Sequence, residues 1–540
     1  MAVDQLGSGS SAASGAAFVR KSSGLIKTGS PWRIFVMGCT DNGFGAFMAT
    51  LFLYGVGAFP RSNILLAALL DTIFLLFFNV VYALLATAYP RSGGEYVSLS
   101  RILHPSVGFI LNFSAFICFC FFSSTGGFLV FTLALSPALK VLGVITGHPG
   151  ITSVGTWIGT TGHAWLLGSI LVLLYGVMCA YGMNVYYRYQ AFTWWSGIVC
   201  FIVLVIVYGT ASHSTFVSGF DRYMLVTAHQ HNAYAQVMAA SHKAGIPSGY
   251  SLYDTLGMFA VATQTSLVGG YLAGEVRTPL KTQVAGGAGG GLFYMVVLLI
   301  VGLLIAHTTS LGFNKDATFL AVQHPGSYLP NQSPVFTFYA YLCTKSAVLL
   351  VIMMLGTVIF SLILVPQQII YPTRMLFAWS FDRLIPSKVA DVSPRTNAPI
   401  VATVIVVIVC EALLALYGSN QITFINPILT YAPIWIFVSI AGALVPFLPR
   451  SRDFFNRSRI NIRVFGIPII TVLACLSLVY WIVSMYIALS SDTLGANAPS
   501  NERIAVAVFV APAVYYVAAR YVRRRQGLNL NATFAELPPE

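Results

Sequence analysis

Residues 33–59 read RIFVMGCTDNGFGAFMATLFLYGVGAF, an apolar run with a polar, glycine-rich knot at Cys39-Thr40-Asp41-Asn42-Gly43-Phe44-Gly45. A hydrocarbon core of about 30 Å needs roughly 20 apolar residues at 1.5 Å per residue, and this run is long enough. An apolar segment of that length must satisfy its backbone within itself, which means a helix. The knot breaks that rule: an unpaired N–H or C=O in lipid costs several kcal/mol unless it is buried in protein or lines a cavity. The stretch therefore predicts a membrane helix broken at its middle.

The rest of the chain repeats the apolar run without the knot. Of 540 residues, 57% are hydrophobic and 8% charged, against about a quarter charged in ordinary soluble domains. Further spans are expected at 63–88, 106–134, 165–184, 190–210, 252–273, 285–308, 344–366, 399–418, 427–448, 466–489 and 503–520. None shows the ten-residue alternation of a barrel strand. The reading is an all-α polytopic membrane protein of about 12 transmembrane helices.

Lys and Arg set the orientation, because cytoplasmic loops retain them. With the N-terminus inside, 22 of the 29 Lys and Arg fall on the inner side. This predicts a multi-pass protein of the plasma membrane with both termini cytoplasmic. The same dispersal accounts for the formal charge of +13 without a nucleic-acid surface, so the expected partners are the lipid bilayer and a small molecule. Residues 1–30, rich in Ser, Gly and Ala, read as a cytoplasmic tail without a secretory signal. A single membrane-embedded domain is expected over 31–520, followed by a short cytoplasmic tail at 521–540.

The eight cysteines lie in or beside apolar spans without the paired spacing of a zinc site, and read as packing residues. His229 and His231, with His213 and His242 on the same outer connection, form a His-x-His pair lacking the carboxylate or thiol neighbour that a metal would want. No metal or cofactor is expected.

A second knot occurs in the sixth span, Thr263-Gln264-Thr265-Ser266-Leu267-Val268-Gly269-Gly270. It lies at a depth comparable to the first, five helices later. A repeat of five helices is inverted in its second copy, and matching interruptions in two such halves point to a transporter's midplane site. A broken helix frees N–H groups and a positive dipole end for an anion, and carbonyls for a cation. An amino acid zwitterion presents both. Thr40, Asp41, Asn42, Gly43, Phe44 and Gly45, with Thr263, Gln264, Thr265 and Ser266, are the candidate substrate-binding residues. Gly269 and Gly270 alone read as close helix packing. Asp71 and Glu411 are embedded carboxylates, read as structural hydrogen-bonding groups with coupling or gating as the alternative. Asp254 and Lys345 sit near helix ends, within reach of the interface.

Three further stretches carry a resemblance. Residues 82–96 read YALLATAYPRSGGEY, followed by Ser100-Arg101 and Pro105-Ser106-Val107-Gly108-Phe109. Residues 274–279 read GEVRTP and residues 374–386 read RMLFAWSFDRLIP, the latter expected after the eighth helix. In this order and spacing they resemble amino acid permeases of the amino acid–polyamine–organocation (APC) superfamily. The resemblance implies the APC fold: a five-plus-five inverted repeat with two extra C-terminal helices, and a substrate site at the breaks of helices one and six. By position, Gly43-Phe44-Gly45 matches the family's Gly-x-Gly break, whose N–H groups receive the substrate carboxylate. At Phe259 to Thr265 this chain departs from the family pattern, with Thr263 and Thr265 where a Gly and a Glu are usual and about two extra residues before Glu275.

Family members couple to sodium, protons or counter-exchange. The chain has no Lys or Arg between Arg188 and Arg222, where some proton-coupled relatives carry a lysine. Thr357 and Ser361 are the side chains available to a sodium ion beside helix one, and Asp41 is a candidate for a substrate ammonium or for a coupling proton, with helix capping as its structural role. A polyamine or other organic cation is the alternative substrate, with Asp41 as its contact. An enzyme is not expected, because no nucleophile, base and metal set converges. Paired broken helices also suit alternating access better than an open channel.

Overall fold

The computed structural model describes residues 25–41, 43–260, 268–423, 425–528, 530 and 534. Among them nine helices are long and apolar enough to cross a membrane: Ile64–Ala88, Pro105–Thr146, Thr161–Ala180, Met183–Thr210, Pro279–Thr309, Ala347–Phe381, Ile400–Gly418, Ile469–Ser490 and Pro499–Arg525. Ala46–Ala58 and Leu429–Leu444 are shorter apolar helices. The only strands among the described residues form a two-residue hairpin, Arg463–Val464 with Ile467–Pro468. The architecture is all-α and multi-pass. Large apolar side chains such as Leu174, Val177, Ile408, Val514 and Val517 stand exposed along these helices, as a lipid-facing surface requires.

The first expected span is not a continuous helix. It is Pro31–Thr40 followed by Ala46–Ala58. Of the sixth, the described parts are Leu252–Ala260 and Val268–Tyr271. Elsewhere the bounds move. The third span continues to Thr146, so Lys140 lies on a helix and not in a loop; its ammonium donates to Asn331 O and Gln332 Oε1, both at 3.2 Å. The eighth continues through Pro366 and Pro372 to Phe381, placing the 374–386 motif mostly on that helix and not after it. A proline removes one hydrogen bond and kinks a soluble helix, whereas neighbouring helices absorb the loss within a membrane bundle.

Two helices organise the middle. Ala347–Phe381 runs between Met183–Thr210 and Pro105–Thr146, and its segment Ile363–Ser380 is buried throughout. Pro31–Thr40 lies against the start of Pro279–Thr309, where a five-residue π-turn, Ala285–Gly289, precedes Gly290. A Cβ on Gly290 would stand 2.5 Å from Gly38 C and 2.7 Å from Cys39 N. The two backbones therefore touch where only glycine fits, just before the first break.

The connection 211–251, expected as a loop, holds the helices His213–Ala228 and Ala233–Lys243. His213 bonds Thr308 O through Nδ1 at 2.9 Å. Among the described residues no group of three or more His, Cys, Asp or Glu gathers as metal ligands would.

Candidate functional site

The first break is built by two glycines and closed by a neighbouring helix. Ser30 caps Pro31–Thr40, accepting from Arg33 N at 3.3 Å, and Pro31 opens the helix where its missing N–H costs nothing. Gly43 and Gly45 then take φ of +70° and +69°, values that L side chains rarely adopt. The next helix begins at Ala46, whose N–H donates to Ser361 Oγ at 2.9 Å. Ser361 in turn donates to Thr357 O at 2.7 Å. Thr357 is held by its own pair, Oγ1 to Tyr341 Oη at 2.5 Å and to Met354 O at 3.0 Å. Both hydroxyls expected to serve a coupling ion thus stand at the break, with Ser361 acting as a cap supplied from another helix.

Asp41 lies on the other side of the break and is buried. Its Oδ1 accepts from Tyr371 Oη at 2.9 Å and Gln367 Nε2 at 3.2 Å, and its carbonyl accepts from Gln368 Nε2 at 3.2 Å. Gln367 also donates to Met37 O at 2.8 Å, and its Oε1 lies 3.0 Å from Thr40 Oγ1. One glutamine therefore holds the last turn of Pro31–Thr40 by two contacts and its C-cap, Asp41, by a third. Gln368 Oε1 is buried without a hydrogen-bond partner among the described residues.

Phe44, between the two glycines, is 1% exposed. Its ring is boxed by Phe360, Tyr294, Phe293 and Phe201 at centroid distances of 5.0 to 6.3 Å. The break thus joins a polar half at Asp41 to an aromatic half at Phe44.

Of the expected site residues, Thr40, Asp41, Gly43, Phe44, Gly45, Thr357 and Ser361 come together here. Asn42, Thr263, Gln264, Thr265 and Ser266 lie outside the described residues. Sequence reading missed Gln367, Gln368 and Tyr371. Their signal was present: a Gln-Gln doublet in an apolar run, with Tyr371 one turn beyond Gln367 on the same helical face. Gln367→Leu withdraws donors from Asp41 and Met37 and an acceptor from Thr40. Leaving such groups unsatisfied costs about 1–3 kcal/mol, so a lower unfolding temperature with weakened uptake is expected. Unchanged values of both would show that the network does not hold the break.

The three motif stretches meet at one end of the bundle, here termed the basic end because Arg91, Arg101, Arg277, Arg374 and Arg383 gather there. Glu95 on the helix Glu95–Ile102 accepts from Tyr271 Oη at 2.6 Å, Asn112 Nδ2 at 2.7 Å and Tyr82 Oη at 3.1 Å. Burial pushes this carboxyl above the usual carboxylate range, while those hydrogen bonds pull the other way. Arg101 grips Asp382 with two bonds of 2.8 and 2.9 Å, and Tyr96 donates to the same carboxylate at 2.7 Å. Arg374 grips Glu275 at 2.8 and 3.2 Å, with both side chains nearly fully buried. Trp379 Nε1 donates to Asn112 Oδ1 at 2.8 Å. Residues from 82–112, 271–275 and 374–382 are therefore tied into one polar layer.

That layer and the break lie within one long match: the model of a family described as amino acid permease covers residues 30–511. The chain belongs to the amino acid permease family. Comparison with curated proteins finds no match. Family membership and the polytopic helical architecture together make this permease a secondary transporter and not an enzyme.

In the permease, segment 25–30 also joins the basic end. Gly29 N donates to Glu275 O at 2.9 Å, and Arg277 Nε donates to Lys27 O at 3.0 Å. Tyr271 stacks on Tyr371 with centroids 4.9 Å apart, linking the layer to the Asp41 network. Gly269 and Gly270 behave as packing glycines, each with no room for a Cβ, against Gln283 and Tyr82 respectively. At the opposite end Asp254 does not stand alone: Arg61 pairs with it at 3.2 Å.

Proposed function

We propose that this permease moves amino acids across the plasma membrane by alternating access, holding its substrate at the break between Pro31–Thr40 and Ala46–Ala58 together with residues of the second polar knot, 263–266. The observation that carries the reading is the pair Gly43 and Gly45, both left-handed, beside a buried carboxylate. A substrate carboxylate fits the N–H groups around Gly43-Phe44-Gly45, and an ammonium fits the carbonyl end of Pro31–Thr40 with Asp41. Asn42, Thr263, Gln264, Thr265 and Ser266 complete the proposed site. The fold that goes with it is a five-plus-five inverted repeat with two additional helices, twelve in all. The basic end and both termini face the cytoplasm in this reading, because that end collects Arg and Lys. Thr357 and Ser361 are the proposed contacts for a sodium ion if sodium couples transport.

Proteoliposome uptake of a mixed amino acid and polyamine pool, under imposed sodium and proton gradients, tests the proposal. Saturable accumulation of an amino acid is the expected result. Asp41→Asn keeps a hydrogen-bonding side chain but removes the charge. Charge-assisted hydrogen bonds contribute about 1.5–3 kcal/mol, so its apparent affinity is expected to fall by about tenfold or more. An Asp41→Asn protein with unaltered affinity, rate and ion dependence would remove Asp41 from the site. A buried acid at the break also favours amines lacking a carboxylate; selective polyamine accumulation would replace the amino acid reading.

A further inference from the structure

Asp71 is the strongest feature that the substrate site leaves unused. It stands eight residues into Ile64–Ala88, about 10 Å along the helix from Ile64, and is 2% exposed. Its Oδ1 is in a short hydrogen bond with Tyr480 Oη, while Oδ2 is buried without a partner among the described residues. On the antiparallel helix Pro279–Thr309, Gly302 abuts Ile64 and Leu65. Tyr294, about two turns earlier on that helix, comes level with Asp71 and lies within electrostatic reach of it. The Tyr294 hydroxyl is likewise buried without a partner among the described residues, and its ring packs on Phe44 at 5.3 Å.

Among the described residues, the groups around Asp71 are aromatic hydroxyls and not cations. Ile469–Ser490 contributes Tyr480, and Pro279–Thr309 contributes Tyr294. Leu252–Ala260 carries Asp254 and Tyr253, which are engaged with Arg61 and Ser490. Leu429–Leu444 carries Tyr431, whose ring meets Trp435 edge to face. Glu95, Tyr82 and exposed Lys281 belong to the basic end. A buried carboxylate needs a compensating charge, and this surrounding supplies hydroxyls.

We propose that Asp71 is a proton-binding site of this permease, and that its proton couples to substrate through Tyr294 and Phe44. The inference rests on the transport reading above. The step is simple: one O–H bond forms at the Asp71 carboxylate when a proton enters from one side, and the same bond breaks when the proton leaves to the other. Tyr294 packs on the ring at the first break and stands level with this carboxyl, within its electrostatic reach, so a change in the charge of Asp71 and a change at Phe44 are felt by one side chain.

The full-length protein in proteoliposomes tests this with a labelled amino acid pool, in two assays: accumulation driven by an inside-alkaline pH step, and exchange at equal pH. Intramembrane carboxylates serve as proton relays, so Asp71→Asn is expected to lose proton-driven accumulation by about tenfold or more while still exchanging. Tyr480→Phe removes a hydrogen bond that favours the ionised form and is expected to move the pH of half-maximal uptake upward with coupling kept. Parental accumulation in Asp71→Asn overturns the proposal, as does a parent protein that exchanges but ignores the pH step. If Asp71→Asn does not fold, Tyr480→Phe decides: a shifted pH profile supports the proposal and an unshifted one overturns it. A folded parent that neither accumulates nor exchanges overturns the transport reading itself.

Discussion

Gly45→Ala is expected to abolish saturable uptake, while Gly147→Ala leaves it unchanged. Both glycines take φ close to +70°, at +69° and +68°. Their ψ values differ: Gly147, at +22°, lies in the left-handed helical region, where an L residue costs about 1–2 kcal/mol, whereas Gly45, at −110°, lies outside it, where an L residue is more strained still. Their surroundings separate them further. A Cβ on Gly147 meets nothing within 4 Å, whereas one on Gly45 would stand 2.5 Å from Thr357 O and 2.6 Å from Ser361 Oγ. Neither atom can retreat cheaply, since Thr357 O already accepts from Ser361 and Ser361 accepts from Ala46 N. The extra methyl must therefore push Ala46–Ala58 off its cap and reopen the geometry of the break. Uptake should drop by about a hundredfold or more, which needs only about 2.8 kcal/mol. The unfolding temperature should fall less than this loss implies if the helices around the break stay packed. Parental uptake by Gly45→Ala would show that close contact between the break and Ala347–Phe381 is not needed for transport.

What the sequence made legible follows from how local each signal is. Ile64–Ala88 was expected almost to the residue, because its ends are marked by Asn63, whose side chain accepts from Leu66 N, and by the turn at Tyr89-Pro90. The break at 39–45 was legible because a carboxylate and two glycines contradict their apolar surroundings within seven residues. The eighth helix was cut short because Pro366 ends a helix by any local rule, and only its packed neighbours overrule that rule. The partners of Asp41 were not legible for a different reason. Gln367 and Tyr371 stand more than 300 residues away in sequence, and nothing in 33–59 names them. The same holds for Arg374: its motif was quoted, but its bond to Glu275 joins two motifs whose meeting depends on the fold.

Arg374→Met should be among the most destabilising single substitutions in the protein, and adding Glu275→Leu should rescue stability. Both charges are nearly fully buried, and each satisfies the other through two hydrogen bonds. Removing one partner leaves an uncompensated buried charge, at a cost of about 3–5 kcal/mol, whereas replacing both by apolar residues of similar volume is often neutral or stabilising. Thermal unfolding in detergent should therefore show a large drop for the single variant and near-parental behaviour for the double. Transport should separate from stability in the same pair. Arg374 and Glu275 lie on two segments that converge at the basic end, where Gly29 also bonds Glu275, and the alternating access proposed above requires such a junction to open and close. A hydrophobic replacement can keep it closed but cannot exchange its partners for water on opening, so the double variant should fold well and turn over slowly. If the double variant unfolds as early as the single one, the pair holds the fold by more than mutual neutralisation. If it transports at the parental rate, the ion pair has no part in the opening of that end.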